Sequence, residues 1–283
     1  ADGYAFMFKP DFSAMSSFSG FINVLKTAAG QMFFSLSLGM GCMITYGSYL
    51  DKKEDLQKNA IIIPACDTLI AVMAGMAVLP ACAAYDVPYA SGPGLLFTSM
   101  QQVFTNMGEF GAFVGFMFYF LVFIAAVTSS ISLLEVVCTY RIDAAIDKGK
   151  KPNRQKITCI AAGLIFVVGL PVALDALGSG GAAFPAPYEI INYQVAEGGK
   201  IPMAIDCWLD FFDMLSEGVL MPFGALAMSV LIGWVYKTKN AVVTECEQAG
   251  RKFWGYGFFN VCFKFIVPVI MAFVLYGQIS DFF

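Results

Sequence analysis

Apolar residues dominate long runs of this chain, and polar or charged residues gather in the short stretches between them. Six runs stand out, at about 26–50, 59–85, 109–143, 157–174, 208–236 and 253–278. A helix needs roughly 20 apolar residues to cross a bilayer, so each run is predicted to be a transmembrane helix. The run at 109–143 exceeds that length and is expected to tilt or protrude. Residues 1–25 form a polar-aromatic lead-in, with Lys9-Pro10-Asp11 as a turn signal. Stretches rich in small residues, Gly or Pro occupy 86–108 and 175–205.

The first run departs from a plain spanning helix. From Gly30 to Leu50 it reads GQMFFSLSLGMGCMITYGSYL, with Ser35, Ser37, Gly39 and Gly41 at its middle. Glycine weakens a helix, and backbone groups freed in hydrocarbon need partners. Two readings fit: an unbroken helix packed closely through small residues, or a broken helix lining a cavity and offering its carbonyls to ions and substrate.

Charge orients the spans. Lys52, Lys53 and Lys58 flank the first loop, Arg141, Lys148, Lys150, Lys151, Arg154 and Lys156 the third, and Lys237, Lys239, Arg251 and Lys252 the fifth. The stretch 86–108 has no Lys or Arg, and 175–207 has only Lys200. The positive-inside rule therefore makes the basic loops cytoplasmic and both chain ends extracellular, with 1–25, 86–108 and 175–205 outside. Composition agrees: 58% of the 283 residues are hydrophobic and 13% charged, far from a soluble domain. An integral membrane protein is the class that fits. Cys42, Cys66, Cys82, Cys138, Cys159 and Cys262 lie inside the runs without any CxxC spacing, and histidine is absent, which argues against disulfides and zinc. No nucleophile–base pair or phosphate loop suggests an enzyme, and no nucleic-acid partner is expected. The first residue is Ala1 and no secretory signal precedes the first span, so a longer polypeptide is expected.

Polar groups inside the spans are the candidates for chemistry. Asp67, in PACDTLIAVMAG, places a carboxylate where insertion costs at least ~2.5 kcal/mol, too short to snorkel and with no base nearby in sequence. Thr128, Ser129 and Ser130 form a hydroxyl run beside Ala125 and Ala126. Such hydroxyls bond their own backbone or serve a hard cation, which takes oxygen ligands. Glu135, two turns along, is expected to support the broken stretch through backbone or hydroxyl groups. Asp143 and Asp213 lie at span ends, where acids are ordinarily solvated.

These residues carry a resemblance. GQMFFSLSLGMG resembles the broken sixth helix of the neurotransmitter:sodium symporters, and IAAVTSSISLLE (124–135) their eighth. SGPGLLF (91–97) is similar to their fourth extracellular loop. The likeness runs in order from the loop before helix 6 to the end of helix 11, is nearer to bacterial amino-acid transporters, and departs in a longer loop at about 175–205 and in the lack of helices 1 to 5. It implies an all-α integral membrane protein of the LeuT-like inverted-repeat fold: the second five-helix repeat plus one additional helix, the first helix discontinuous.

The resemblance also implies roles. Phe34, Ser37, Met40, Ser129 and Leu133 match substrate-pocket positions. Ser35 and Asp67 would bind a first sodium with the substrate carboxylate; the Ala125 carbonyl and the Thr128 and Ser129 hydroxyls would bind a second. Asp213 matches the extracellular gate, and Asp143 and Tyr49 the intracellular one. The aromatic ring, thioether and leucine suit a bulky apolar or aromatic amino acid. The function implied is sodium-coupled amino-acid symport by alternating access in a multi-pass cell membrane protein, with bacterial inner membrane as the expected location. Partners would be an amino acid, sodium, lipid and an N-terminal half carrying helices 1 to 5, with sodium as coupling ion and no other cofactor. Chloride-dependent animal members carry asparagine at the position of Asp67 and serine four residues later, where Ala71 stands here, although Gln31 is kept. Chloride-independent transport is expected, with a proton return by Asp67 as a further option. A non-transporting subunit or receptor-like relative is the alternative, and a channel the third reading.

Overall fold

The structure, a computed structural model, describes residues 2–9, 11–87, 94–175, 185–192, 203–248, 250 and 252–282. All regular structure among them is helical. In order the main helices are α1 (Asp2–Phe8), α2 (Phe18–Ser35), α3 (Cys42–Ser48), α4 (Leu56–Ala84), α5 (Met100–Asn106), α6 (Glu109–Asp147), α7 (Arg154–Asp175), α8 (Pro187–Ile190), α9 (Met203–Asp206), α10 (Trp208–Val235) and α11 (Tyr256–Ile279). A short helical turn at Ser13–Met15 precedes α2, and a π-helical stretch, Lys239–Val243, runs into Thr244–Glu247 between α10 and α11. Among the described residues, α4, α6, α7, α10 and α11 are long and apolar enough to cross a membrane. Their apolar side chains stand largely exposed, among them Phe116, Leu121 and Phe123 on α6 and Leu164, Ile165 and Phe166 on α7. Helices apolar on so much of their surface are those a bilayer accommodates, because their backbone bonds close internally and lipid covers the side chains.

Several boundaries differ from the sequence expectation, each for a local reason. Six spans were expected; the first is missing from the five because a break divides it into α2 and α3. The lead-in 1–25 is partly helical: α1 occupies Asp2–Phe8, and α2 begins at Phe18 because the Ser17 side chain accepts the Gly20 N–H at 3.0 Å as an N-cap. The third span does not stop at 143. Ala144, Ala145 and Ile146 continue it to Asp147, where Gly149 at φ 68° turns the chain and Lys150 N–H bonds the Ala145 carbonyl at 2.9 Å. The stretch 86–108 contains a π-helical turn, Leu95–Ser99, running into α5. The parts of the expected loops at 88–93, 176–184 and 193–202, with Ser91 and Lys200, and Arg251 in the last basic loop, lie outside the described residues.

The chain divides into two compact units. One comprises residues 1–14 and 58–132. Within it α1 lies so close to α4 that a Cβ on Gly3 would meet the Leu79 carbonyl at 2.7 Å. Cys82, Val87, Met100, Val103 and Phe104 form its core, covered by Phe118 and Tyr119 of α6. Tyr119 donates its hydroxyl to the Leu96 carbonyl at 2.9 Å, fastening the π turn to α6.

The other unit comprises residues 15–57 and 133–283. Here α2 packs against α11 and the first half of α10. The buried Lys26 lays its stem beside Gly277, while the Glu217 carboxylate faces Gly30 and the Gln278 amide lies beside Gly218. Glycines at these points let polar side chains from three helices fit between closely spaced backbones. The buried Asp175 carboxylate accepts the Trp208 N–H at 2.8 Å, joining the end of α7 to the start of α10. Gln57 and Trp254 exchange two hydrogen bonds, at 2.8 and 3.1 Å, and tie the start of α4 to the approach to α11.

Candidate functional site

The break is a built terminus. At the end of α2 the Leu38 N–H bonds the Phe33 carbonyl at 2.9 Å, and the Ser37 N–H bonds the Phe34 carbonyl at 3.2 Å. This is the Schellman pattern, with Ser37 at φ 52° in the left-handed position that glycine ordinarily holds. Gly39 and Gly41 follow at φ 77° and 85°, and Gly41 caps α3. Three left-handed residues within five positions stop any continuous helix. The cap occupies the Phe33 and Phe34 carbonyls, so the carbonyls beyond them are those the break can turn to a ligand. Phe34 projects from the last turn of α2 with 60% of its surface exposed, and Ser37 and Met40 are half-buried in the break itself. A backbone contact seats the loop: a Cβ on Gly39 would collide with the Met221 carbonyl, and one on Gly224 with the Gly39 carbonyl.

On α6 the hydroxyl run bonds as helical serines and threonines do. Thr128 donates to the Ala125 carbonyl at 2.8 Å, Ser130 to Ala126 at 2.7 Å and Ser132 to Thr128 at 3.0 Å. Such bonds use each hydroxyl's proton and leave oxygen lone pairs, so Thr128 and Ala125 keep acceptor capacity toward a cation. Ser129 is exposed on the same helix, and Leu133 lies one turn on, exposed as well. Asp67 is half-buried on α4, three residues after Pro64, in the unit that contains Thr128. Ser35 and the break belong to the other unit.

Beside the break's second half is a polar network. The Tyr49 hydroxyl donates to Glu135 Oε1 at 2.6 Å and stands 3.0 Å from the Thr139 hydroxyl. Arg154 Nη2 reaches both Glu135 oxygens, at 2.9 and 2.8 Å. The Glu135 side chain is 20% exposed and that of Arg154 65%. Glu135 thus supports the broken segment through a hydroxyl, and its charge is met by Arg154, which sequence reasoning had counted only among the loop cations. Asp143 is exposed two turns further along α6. Asp213 is exposed near the start of α10, with Glu217 one turn away, where the helix widens into a π-helical stretch, Met214–Leu220. Lys26, Glu217 and Gln278 formed no motif, because only the packing of three helices assembles them.

Residues 1–191 match the model of the sodium:neurotransmitter symporter family, which is more than half of the chain. The chain belongs to that family. A sodium:neurotransmitter symporter of this kind is a multi-pass membrane protein, in agreement with the five spanning helices. Among its relatives, an uncharacterized sodium-dependent transporter of Bacillus subtilis is 31% identical over 99% of this chain and 55% of its own length. One of Haemophilus influenzae is 32% identical over 98% of this chain and 54% of its own length. The sodium-dependent nutrient amino acid transporter 1 of Drosophila melanogaster is 24% identical over 99% of this chain and 39% of its own length. The chain therefore spans about half the length of the curated relatives it matches. No solved structure matches it.

Proposed function

We propose that this chain forms the C-terminal half of a sodium-coupled amino-acid symporter working by alternating access, the second five-helix repeat of a LeuT-like fold plus one helix. The break between α2 and α3 carries the reading: three left-handed residues interrupt an apolar helix in a family of sodium-dependent transporters. The name of the Drosophila relative supports an amino acid as substrate. Phe34, Ser37, Met40, Ser129 and Leu133 are proposed to line the pocket, with Phe34 as its aromatic lid. The carbonyls past the Schellman cap suit an ammonium group, and a sodium held by Ser35 and Asp67 suits a carboxylate. A second sodium takes the Ala125 carbonyl with the Thr128 and Ser129 hydroxyls. Asp213 closes the outer vestibule; Asp143 and Tyr49 close the inner end, in a bacterial inner membrane. Groups from helices 1 to 5 complete each site.

The test is uptake of labelled amino acids by proteoliposomes carrying the natural full-length protein, with and without an inward sodium gradient. Uptake that follows the gradient supports symport. Sodium-dependent binding without uptake points to a receptor-like relative, and conductance without saturation to a channel.

A further inference from the structure

Helix α10 touches the broken segment twice along one face. At Glu217 its carboxylate faces Gly30, in the last turns of α2. At Met221 and Gly224, one and two turns on, its backbone meets the break itself. The second contact is reciprocal: Gly39 has no room for a side chain because of the Met221 carbonyl, and Gly224 has none because of the Gly39 carbonyl. At φ 77°, Gly39 also holds a backbone conformation that other residues adopt only with strain. Asp213 begins the same face, one turn before Glu217. Pro222 supplies no N–H, and the preceding Met214–Leu220 stretch is π-helical, so α10 departs from regular helix just where it receives the break.

Resting on the symporter reading above, we propose that Gly224 is a positioning residue: by a glycine-to-glycine backbone contact, α10 fixes where the break presents its polar groups to substrate and sodium. A side chain at position 224 pushes on the Gly39 carbonyl and drives the break away from α10. The displacement passes to Ser37 and Met40 on either side of Gly39. It also links a gate residue to the pocket, since Asp213 and Gly224 ride on one helix.

Three measurements on the full-length protein decide the matter. Gradient-driven uptake by the wild type comes first; its absence refutes symport, and the hydrogen-exchange comparison below then decides the contact by itself. Where the wild type transports, Gly224→Ala is expected to raise the substrate KM and the half-saturating sodium concentration about tenfold each, with maximal uptake per surface molecule changed far less. Gly163→Ala and Gly169→Ala on α7, where nothing lies within 4 Å of an added Cβ, should leave all three values unchanged. Normal KM and sodium dependence in Gly224→Ala overturn the proposal, as does a loss confined to the amount of protein in the membrane. Should that variant not reach the membrane, hydrogen exchange on the wild type decides. Sodium plus substrate should slow exchange at residues 36–41 and at 221–230 over the same concentration range. Protection of the break with no change at 221–230 overturns the proposal.

Discussion

The Tyr49 hydroxyl stands 2.6 Å from the Glu135 carboxylate, so the residue that ends the second half of the broken segment is bonded to α6, the longest helix among the described residues. The carboxylate is shared with Arg154, whose side chain is 65% exposed. Tyr49 is itself 58% exposed, but its hydroxyl rides on a rigid ring, whereas Arg154 must fix a long flexible side chain to hold its bond. An ion pair open to water contributes ~0.2–1 kcal/mol, whereas a hydrogen bond to a charged acceptor contributes ~1.5–3 kcal/mol.

Tyr49→Phe is accordingly expected to lower thermal stability in detergent more than Arg154→Gln does. A double-mutant cycle of Tyr49→Phe with Glu135→Gln should give a coupling of about 1 kcal/mol or more. Additive effects of the two substitutions would show that the bond contributes nothing to the folded protein.

Thr128 and Ser130 lie two residues apart in the hydroxyl run, and each bonds a carbonyl of its own helix. Of the hydroxyls in this run, Thr128 and Ser129 are the ones proposed to bind sodium. Replacing both by alanine removes two of about six oxygens from a hard-ion site, and the half-saturating sodium concentration for uptake should rise at least ~tenfold. Ser130→Ala should leave it unchanged. An equal effect of both changes would mean that the run matters through packing alone.

Asp67 bears on anion dependence. In the proposed symporter, two sodium ions and a zwitterion would load a poorly hydrated site with positive charge, and an unpaired buried charge costs several kcal/mol. On that proposal Asp67 would supply the balancing negative charge, and Ala71 offers no hydroxyl to an anion. Uptake should persist when chloride is replaced by gluconate. Asp67→Asn combined with Ala71→Ser should lose uptake in gluconate and recover part of it in chloride. A large loss for the wild type in gluconate would remove Asp67 from this role.

Asp213 is proposed above to close the outer vestibule. Asp213→Ala should reduce uptake much more than equilibrium substrate binding, because turnover requires closure and occupancy does not. Scintillation proximity binding and uptake on the same preparation make the comparison. Parallel losses would place Asp213 in the pocket or the fold instead of the gate.

Much of this was legible in the sequence. The long apolar runs announced α4, α6, α7, α10 and α11, whereas the glycines at 39 and 41 left an unbroken and a broken helix both open, and the family resemblance implied the break. Helix ends were read less well, since they depend on single caps: Ser17 starts α2 earlier than hydropathy suggests, and Gly149 ends α6 later. Ser37 in a left-handed conformation is hidden from the sequence, because that role ordinarily belongs to glycine or asparagine. Tertiary pairs were less visible still. Arg154 read as one more loop cation until its helix brought it to Glu135. Gly224, in the run MPFGALA, looks like any small residue in a spanning helix until Gly39 is found against it.

The bond from the Trp208 N–H to Asp175 joins residues 33 apart in sequence at 2.8 Å. It closes a ring of main chain at its neck, so the position of α10 is set by a buried carboxylate instead of by the length of the chain between. Lengthening a closed loop is cheap, about 0.6 kcal/mol per doubling, and a fastened neck keeps even that change from reaching the helices. Residues inserted into this ring would add reach outside the membrane and leave the seat of the break where it is. The segment is thus open to evolutionary growth, and to a fused tag or epitope, in a way that the seven-residue turn after α3 is not.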